Sequence, residues 1–180
     1  MIEEYDFNRD TKNADLKIEL KPNTMVRDYQ ETALSKMLGN GRARSGIIVL
    51  PCGAGKTLTG IAASCTIKKS TLVACTSQVS AEQWKREFLK WSHINPNDIM
   101  IFTSKSSQSK AGQKQLEFLY KMNKEERSQK TMVLICTYYM LSYSRKRENQ
   151  AQKVMEFIKE HEWGLMLLDE VQRVPAKNFS

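Results

Sequence analysis

Short apolar runs of about five residues recur along this chain and alternate with longer stretches whose apolar positions fall at helical spacing. The runs are Gly46–Leu50, Thr71–Cys75, Asp98–Phe102, Met132–Cys136 and Gly164–Leu168. Nearly unbroken apolarity over so few residues is what a strand buried on both faces requires. Between the runs, Arg27–Leu38, Lys56–Lys68, Ala81–Trp91 and Ala151–Glu160 predict helices. In the first, Tyr29, Ala33 and Met37 form the stripe and Gly39 suits the end. In Ala81–Trp91, Trp84, Phe88 and Trp91 share a face and read as core rather than as a base-stacking platform, with Ser80 and Gln83 as a capping box. Leu16, Ile18 and Leu20 alternate with Lys17 and Glu19, which predicts a short half-buried strand ended by Pro22. Residues 103–131 break the rhythm: they are basic and rich in Ser, Lys and Gln, with one short helix suggested by Leu116, Phe118, Leu119 and Met122. Strand–helix alternation of this kind predicts an α/β fold, a mainly parallel sheet with helices on both faces and right-handed crossovers. Residues 1–26 read as an irregular lead-in and 27–180 as the domain, with Gly41–Ser45 a flexible basic connector into the first core strand.

The first run leads directly into Leu50-Pro51-Cys52-Gly53-Ala54-Gly55-Lys56-Thr57 and then into a helical stretch. Strand, glycine loop, helix is the order that polyphosphate binding needs: small residues let backbone N–H groups close on an anion, and the new helix points its positive end at the same place. Lys56 can reach β- and γ-phosphates, and Thr57 can place a hydroxyl on Mg²⁺. The loop departs from the full phosphate-loop pattern at Leu50, where a glycine is expected. A glycine turn followed by a chance lysine is the alternative, and the last apolar run weighs against it. Gly164–Leu168 ends in Asp169-Glu170, and a carboxylate at such a strand end is where a phosphate-loop protein holds Mg²⁺. Asp169, through water, and Thr57 would hold the metal; Lys56 and the amides of Gly53, Ala54 and Gly55 would hold the phosphates; Glu170 would orient or deprotonate the attacking water. These residues define a RecA-like P-loop domain using ATP and Mg²⁺. Gln30, just upstream, has an amide that both donates and accepts, as adenine recognition requires, although a lone glutamine is more simply a polar helix-surface residue. Thr76 and Ser77 follow the second run, at the C-terminal strand edge where open α/β sheets place ligand contacts, and Thr137 and Tyr138 follow the fourth in the same way.

Composition narrows the class. With 41% hydrophobic and 27% charged residues in 180, the chain has material for one domain with a core. No apolar run is long enough to span a bilayer, and the acidic, polar first ten residues do not read as a secretory signal. Four cysteines without CxxC spacing and two histidines favour neither zinc nor a disulfide framework, so reduced thiols in an intracellular compartment are expected. The net charge is +8, and ten cations against three anions between Thr103 and Arg147 hold nearly all of it. That stretch, including the cluster Arg145-Lys146-Arg147, is either a solvated insertion or a phosphate-facing surface.

These residues together resemble superfamily 2 helicases, and more closely the XPB family, the DNA-translocase subunit of the transcription and repair factor TFIIH. The resemblance rests on Glu3–Phe7, Arg27–Gln30, Gly39–Gly46, Leu50–Thr57, Gln83-Trp84, Thr137-Tyr138 and Glu162–Val171, and covers nearly the whole chain. It implies that Gln30, with Arg27 beside it, reads adenine, and that Leu50–Thr57 is helicase motif I, which accounts for the missing glycine. It implies that Thr76, Ser77, Gln83 and Trp84 lie in or beside motif Ia, that Thr137 and Tyr138 form the next DNA-proximal motif, and that Asp169–Gln172 is motif II. The family has a histidine where this chain has Gln172, a residue that couples the ATP site to motif III; glutamine keeps the hydrogen bonds but not the proton charge. The insertion Ser104–Lys130 is longer than the family leads one to expect. The resemblance further implies double-stranded DNA as substrate, a TFIIH-like multisubunit complex, nuclear localisation, no membrane, and a second RecA-like domain in the same or another chain. Because residues 27–180 would be only the first motor domain, stopping before motif III, the polypeptide alone is expected to bind ATP and hydrolyse it poorly. The alternatives are a non-motor ATP-binding module acting through a partner, an unrelated P-loop kinase or transferase, and a basic nucleic-acid-binding protein with a vestigial nucleotide site.

Overall fold

The computed structural model describes residues 4–51, 53–106, 109–142 and 149–173. Cys52 and the cluster Arg145-Lys146-Arg147 lie outside the described residues. Among the described residues fifteen elements follow one another: β1 (Glu4–Tyr5), β2 (Ile18–Leu20), α1 (Asp28–Met37), β3 (Ala43–Arg44), α2 (Lys56–Ile67), β4 (Thr71–Cys75), α3 (Gln78–Trp91), β5 (Ser92–Ile94), β6 (Ile99–Phe102), α4 (Lys110–Lys121), α5 (Lys124–Gln129), β7 (Val133–Thr137), α6 (Tyr138–Ser142), α7 (Asn149–Glu160) and β8 (Leu165–Leu168). Short 3₁₀ turns lie at Gly39–Gly41, Pro96–Asp98 and Val171–Arg173.

The centre is a four-stranded parallel sheet in the order β6-β7-β4-β8. Alternate residues of each strand face opposite layers, so one apolar run feeds two cores. Leu72, Ala74, Met100, Phe102, Leu134 and Cys136 pack with Leu119, Met140, Val154 and Phe157 from α4, α6 and α7. Val73, Cys75, Ile99, Val133 and Ile135 pack with Ile61, Cys65, Ala81, Trp84 and Phe88 from α2 and α3. The expected α/β architecture with helices on both faces is therefore present.

The expected first core strand, Gly46–Leu50, is absent as a strand. Ile47 is 82% and Val49 87% exposed. An apolar run becomes a strand only beside a partner that takes its backbone hydrogen bonds. Among the described residues β8 pairs with β4 alone, and nothing pairs with Gly46–Leu50.

The lead-in packs onto the domain. Leu16 and Ile18 are buried in the α2/α3 core, and β2 pairs antiparallel with β5. The connector is tied down as well: β3 pairs with β1, and Arg44 meets Glu4 at 2.8 Å. Helix α3 starts earlier than expected, capped by Ser77, whose Oγ accepts the Ser80 N–H at 3.1 Å. The insertion forms two helices rather than one, because Asn123 and Glu126 close a capping box at the start of α5. Its charge is partly spent inside the fold: Lys130 meets Asp98 at 2.8 Å, Lys121 meets Glu117 at 2.8 Å, and Arg127 donates to the Leu119 and Met122 carbonyls.

Candidate nucleotide site

The loop before α2 turns where its glycines allow it. Gly53 and Gly55 both have φ of +76°, which side chains with a Cβ rarely adopt. Gly55 is also the N-cap of α2 and supplies no side-chain cap, so the first turn of α2 opens on backbone donors. Lys56 and Thr57, half-buried, occupy that first turn. Leu50 and Pro51 lead in, and the Pro51 carbonyl accepts the Ala54 N–H at 3.2 Å.

Helix α1 fastens the loop from behind. Gln30 is 1% exposed, and its Nε2 donates to the carbonyls of Ala54 and Gly55, each at 3.0 Å, while its Oε1 accepts the Arg27 N–H at 2.9 Å. A Cβ at Gly55 would lie 2.4 Å from Gln30 Nε2, so this contact also needs glycine there. Tyr29, expected on the apolar stripe of α1, is instead 39% exposed and donates its hydroxyl to the Ala54 carbonyl at 3.0 Å, with Arg27 donating to the same hydroxyl. The phenol's polar end was the available signal for this role.

Opposite the loop, β8 ends at Asp169 and Glu170. The Asp169 N–H is held by the Ala74 carbonyl at 2.9 Å, which continues the parallel ladder past β8. Glu170 follows with φ of +53°, an unfavourable conformation for a residue with a Cβ. Its carboxylate meets Lys56 Nζ at 3.2 Å across 114 residues of sequence, and it also accepts a close hydrogen bond from Gln172 Nε2. The lysine of the glycine loop and the second residue of the strand-end acidic pair thus meet.

The remaining expected residues fall into two groups. Thr76, Ser77 and Gln83 are exposed at and after the C-terminal end of β4. Trp84, Thr137 and Tyr138 are buried, at 5%, 7% and 7% exposure. Trp84 Nε1 donates to Asp169 Oδ2 at 3.0 Å, and the Tyr138 hydroxyl donates to the Asp169 carbonyl at 2.9 Å. Burial, and then the nearby Asp169 charge, push the Tyr138 hydroxyl well above its ordinary pKa. Burial pushes the Cys75 thiol, at the end of β4, up to about 11.

Asp169 and Thr57 offer hard oxygen donors. Among the described residues no group of three or more His, Cys, Asp or Glu side chains gathers as a metal centre. A sparse oxygen set, completed by phosphate and water, suits Mg²⁺ and does not suit zinc. Among the same residues no helix is long and apolar enough to cross a membrane.

Over 179 residues the chain is 51% identical to the general transcription and DNA repair factor IIH helicase/translocase subunit XPB of Schizosaccharomyces pombe, covering 99% of this chain and 20% of that protein. It is 50% identical over the same length to the XPB/SSL2 subunit of Saccharomyces cerevisiae, with 99% and 19% covered. It is 53% identical to the XPB subunit of Dictyostelium discoideum, with 99% and 20% covered. The chain therefore spans about a fifth of the length of these relatives, and the resemblance to XPB drawn from its motifs stands. Residues 23–180 match the family model described as type III restriction enzyme, res subunit (ResIII), and the chain belongs to that helicase family.

Proposed function

We propose that these residues form the nucleotide-binding motor segment of an XPB-like, ATP-dependent helicase or translocase acting on duplex DNA. The observation that carries this reading is the meeting of Lys56 with Glu170 at 3.2 Å, which brings the loop lysine to a strand-end carboxylate 114 residues away. In this reading Lys56 and the N–H groups of the loop and of the first turn of α2 bind the β- and γ-phosphates of ATP. Glu170 gives up its ion pair as the phosphates claim Lys56, and turns to accept a proton from the attacking water. Thr57, and Asp169 through water, would hold Mg²⁺, which when bound would neutralise phosphate charge. Gln30, with Arg27 beside it, reads adenine, for which its amide must exchange a loop carbonyl for the base. Gln172 holds Glu170 and stands where coupling to the rest of the motor is expected. Thr76, Ser77 and Gln83, with the backbone around Thr137 and Tyr138, meet the phosphates of duplex DNA. The wider setting is that of the relatives: a TFIIH-like multisubunit complex in the nucleus, serving transcription initiation and nucleotide excision repair, with a second RecA-like domain completing the motor.

The test is ATP hydrolysis by the native polypeptide with and without duplex DNA. DNA-stimulated turnover should be abolished by Lys56→Ala and lost in Glu170→Gln, and DNA affinity should fall steeply from low to moderate salt. Phosphate transfer to a small acceptor without DNA stimulation, or DNA affinity indifferent to ATP, would overturn the reading.

A further inference from the structure

Asp169 is held at three points. Its N–H goes to the Ala74 carbonyl, its carbonyl receives the Tyr138 hydroxyl, and its Oδ2 receives the Trp84 indole N–H. The two side-chain donors come from different places in the sequence. Trp84 lies on α3, which follows β4, and Tyr138 opens α6, which follows β7. Both are buried, so neither hydrogen bond competes freely with water.

The indole is also fitted into its place. A Cβ at Gly60, on α2, would sit 2.9 Å from Trp84 Cη2 and 3.1 Å from Leu167 Cδ1. Glycine at position 60 is what lets the ring lie between the phosphate-loop helix and β8. Trp84 thereby touches both halves of the nucleotide site. Exposed Thr76 and Ser77 immediately precede the same helix α3, Ser77 as its N-cap, and Tyr138 is followed by Tyr139, which is 58% exposed.

We propose that Trp84 and Tyr138 are positioning residues for Asp169: they fix its carboxylate, occupying Oδ2 and leaving Oδ1 for Mg²⁺ or its bound water, and they tie it to α3, which follows the exposed Thr76 and Ser77, and to α6, where Tyr139 is exposed. This rests on the nucleotide-site reading above. A carboxylate held by one donor on its outer oxygen loses rotational freedom, whether it meets the metal directly or through bound water; removing such a supporting donor costs on the order of 10-fold or more in metal affinity. Because α3 follows directly on the exposed Thr76 and Ser77 assigned to DNA, displacement of that helix by a polynucleotide would shift Trp84 and with it Asp169.

The experiment uses the native polypeptide with Mn²⁺ as probe, its binding to the protein–ADP complex followed by electron paramagnetic resonance, beside ADP affinity measured in EDTA. Tyr138→Phe removes a single hydroxyl and serves where Trp84→Phe fails to fold. Trp84→Phe should weaken Mn²⁺ on the order of 10-fold and Tyr138→Phe by a smaller factor, with ADP affinity in EDTA unchanged and the ratio of DNA-stimulated to basal hydrolysis lowered in both. Unchanged Mn²⁺ affinity and stimulation ratio in folded variants would overturn the positioning role alone. A native protein that binds neither ADP nor Mn²⁺–ADP would instead overturn the nucleotide-site reading beneath it.

Discussion

At the scale of single residues, the Lys56–Glu170 pair sets the resting state of the site. The two side chains are 38% and 31% exposed, so their attraction is screened and contributes at most about 1 kcal/mol. That is enough to matter for a ligand that must win Lys56 away. Glu170→Gln should therefore tighten ATP binding, by up to about 5-fold, while Lys56→Ala weakens it. The two partners of one ion pair thus shift affinity in opposite directions. Titration with a fluorescent ATP analogue reads both, and weaker binding in Glu170→Gln would show that Glu170 does not compete with the phosphates. The left-handed backbone at Glu170 fits the same picture, since strain of roughly 1–3 kcal/mol is retained where a side chain must be presented in a particular direction.

At the scale of elements, the segment before α1 is fastened by a small polar hub. Lys69, 3% exposed, donates to the carbonyls of Asp10 and Asn13 and meets Asp15 at 2.7 Å. Desolvation works against the Asp10 carboxylate, but hydrogen bonds from Tyr5, from the Asn13 side chain and from the Asn13 and Lys12 N–H groups outweigh it and hold its pKa well below the usual range. An aspartate whose folded pKa is depressed stabilises the fold above its unfolded value, about 3.9, and the contribution drains away as pH falls through that value toward the folded one. Tyr5 supplies the other limb: burial, and then Asp10, raise its pKa, so its contribution is present below about pH 10 and lost as pH rises beyond. Asp10→Asn should cost about 2 kcal/mol at neutral pH, and the gap to the parent protein in urea unfolding should shrink as pH is taken from about 4 toward 2. A gap that stays constant over that range would remove Asp10 from the hub. None of this was legible beforehand, because each bond joins residues whose types carry no signal of a partner. What could be read was periodic: the Leu16–Leu20 alternation, the helix of Trp84 and Phe88, and the four runs that became β4, β6, β7 and β8. The glycine loop and the acidic strand end were legible because their chemistry is local. Gln30's grip on the loop carbonyls and the Trp84 bond to Asp169 were not, since they depend on which elements the sheet brings together.

At the scale of the whole molecule, the two sides of the sheet are dressed differently. On the β6 side the insertion packs against a face of the sheet: α4 sends Leu119 into the core and Lys130 is locked to Asp98. On the other side β8 keeps an unpaired edge among the described residues. Its burial alternates where the other strands of the sheet are largely buried: Met166 is 54% and Leu168 47% exposed. The apolar segment Gly46–Leu50, sequence-fit for a strand and paired with nothing described, adds Ile47 and Val49 to the exposed surface. A flat apolar edge with open backbone donors and acceptors is a template for strand addition by any chain that reaches it. A polypeptide of these 180 residues should therefore self-associate in a concentration-dependent way, read by sedimentation velocity. Lysine at the two most exposed positions, Ile47→Lys with Val49→Lys, should suppress that association by placing charge on the edge-forming segment, with little change in unfolding free energy because neither side chain packs in a core. A doubly substituted chain that associates as strongly as the parent would place the sticky surface elsewhere. A parent chain that stays monomeric at high concentration would show that neither the β8 edge nor Gly46–Leu50 acts as a template for association.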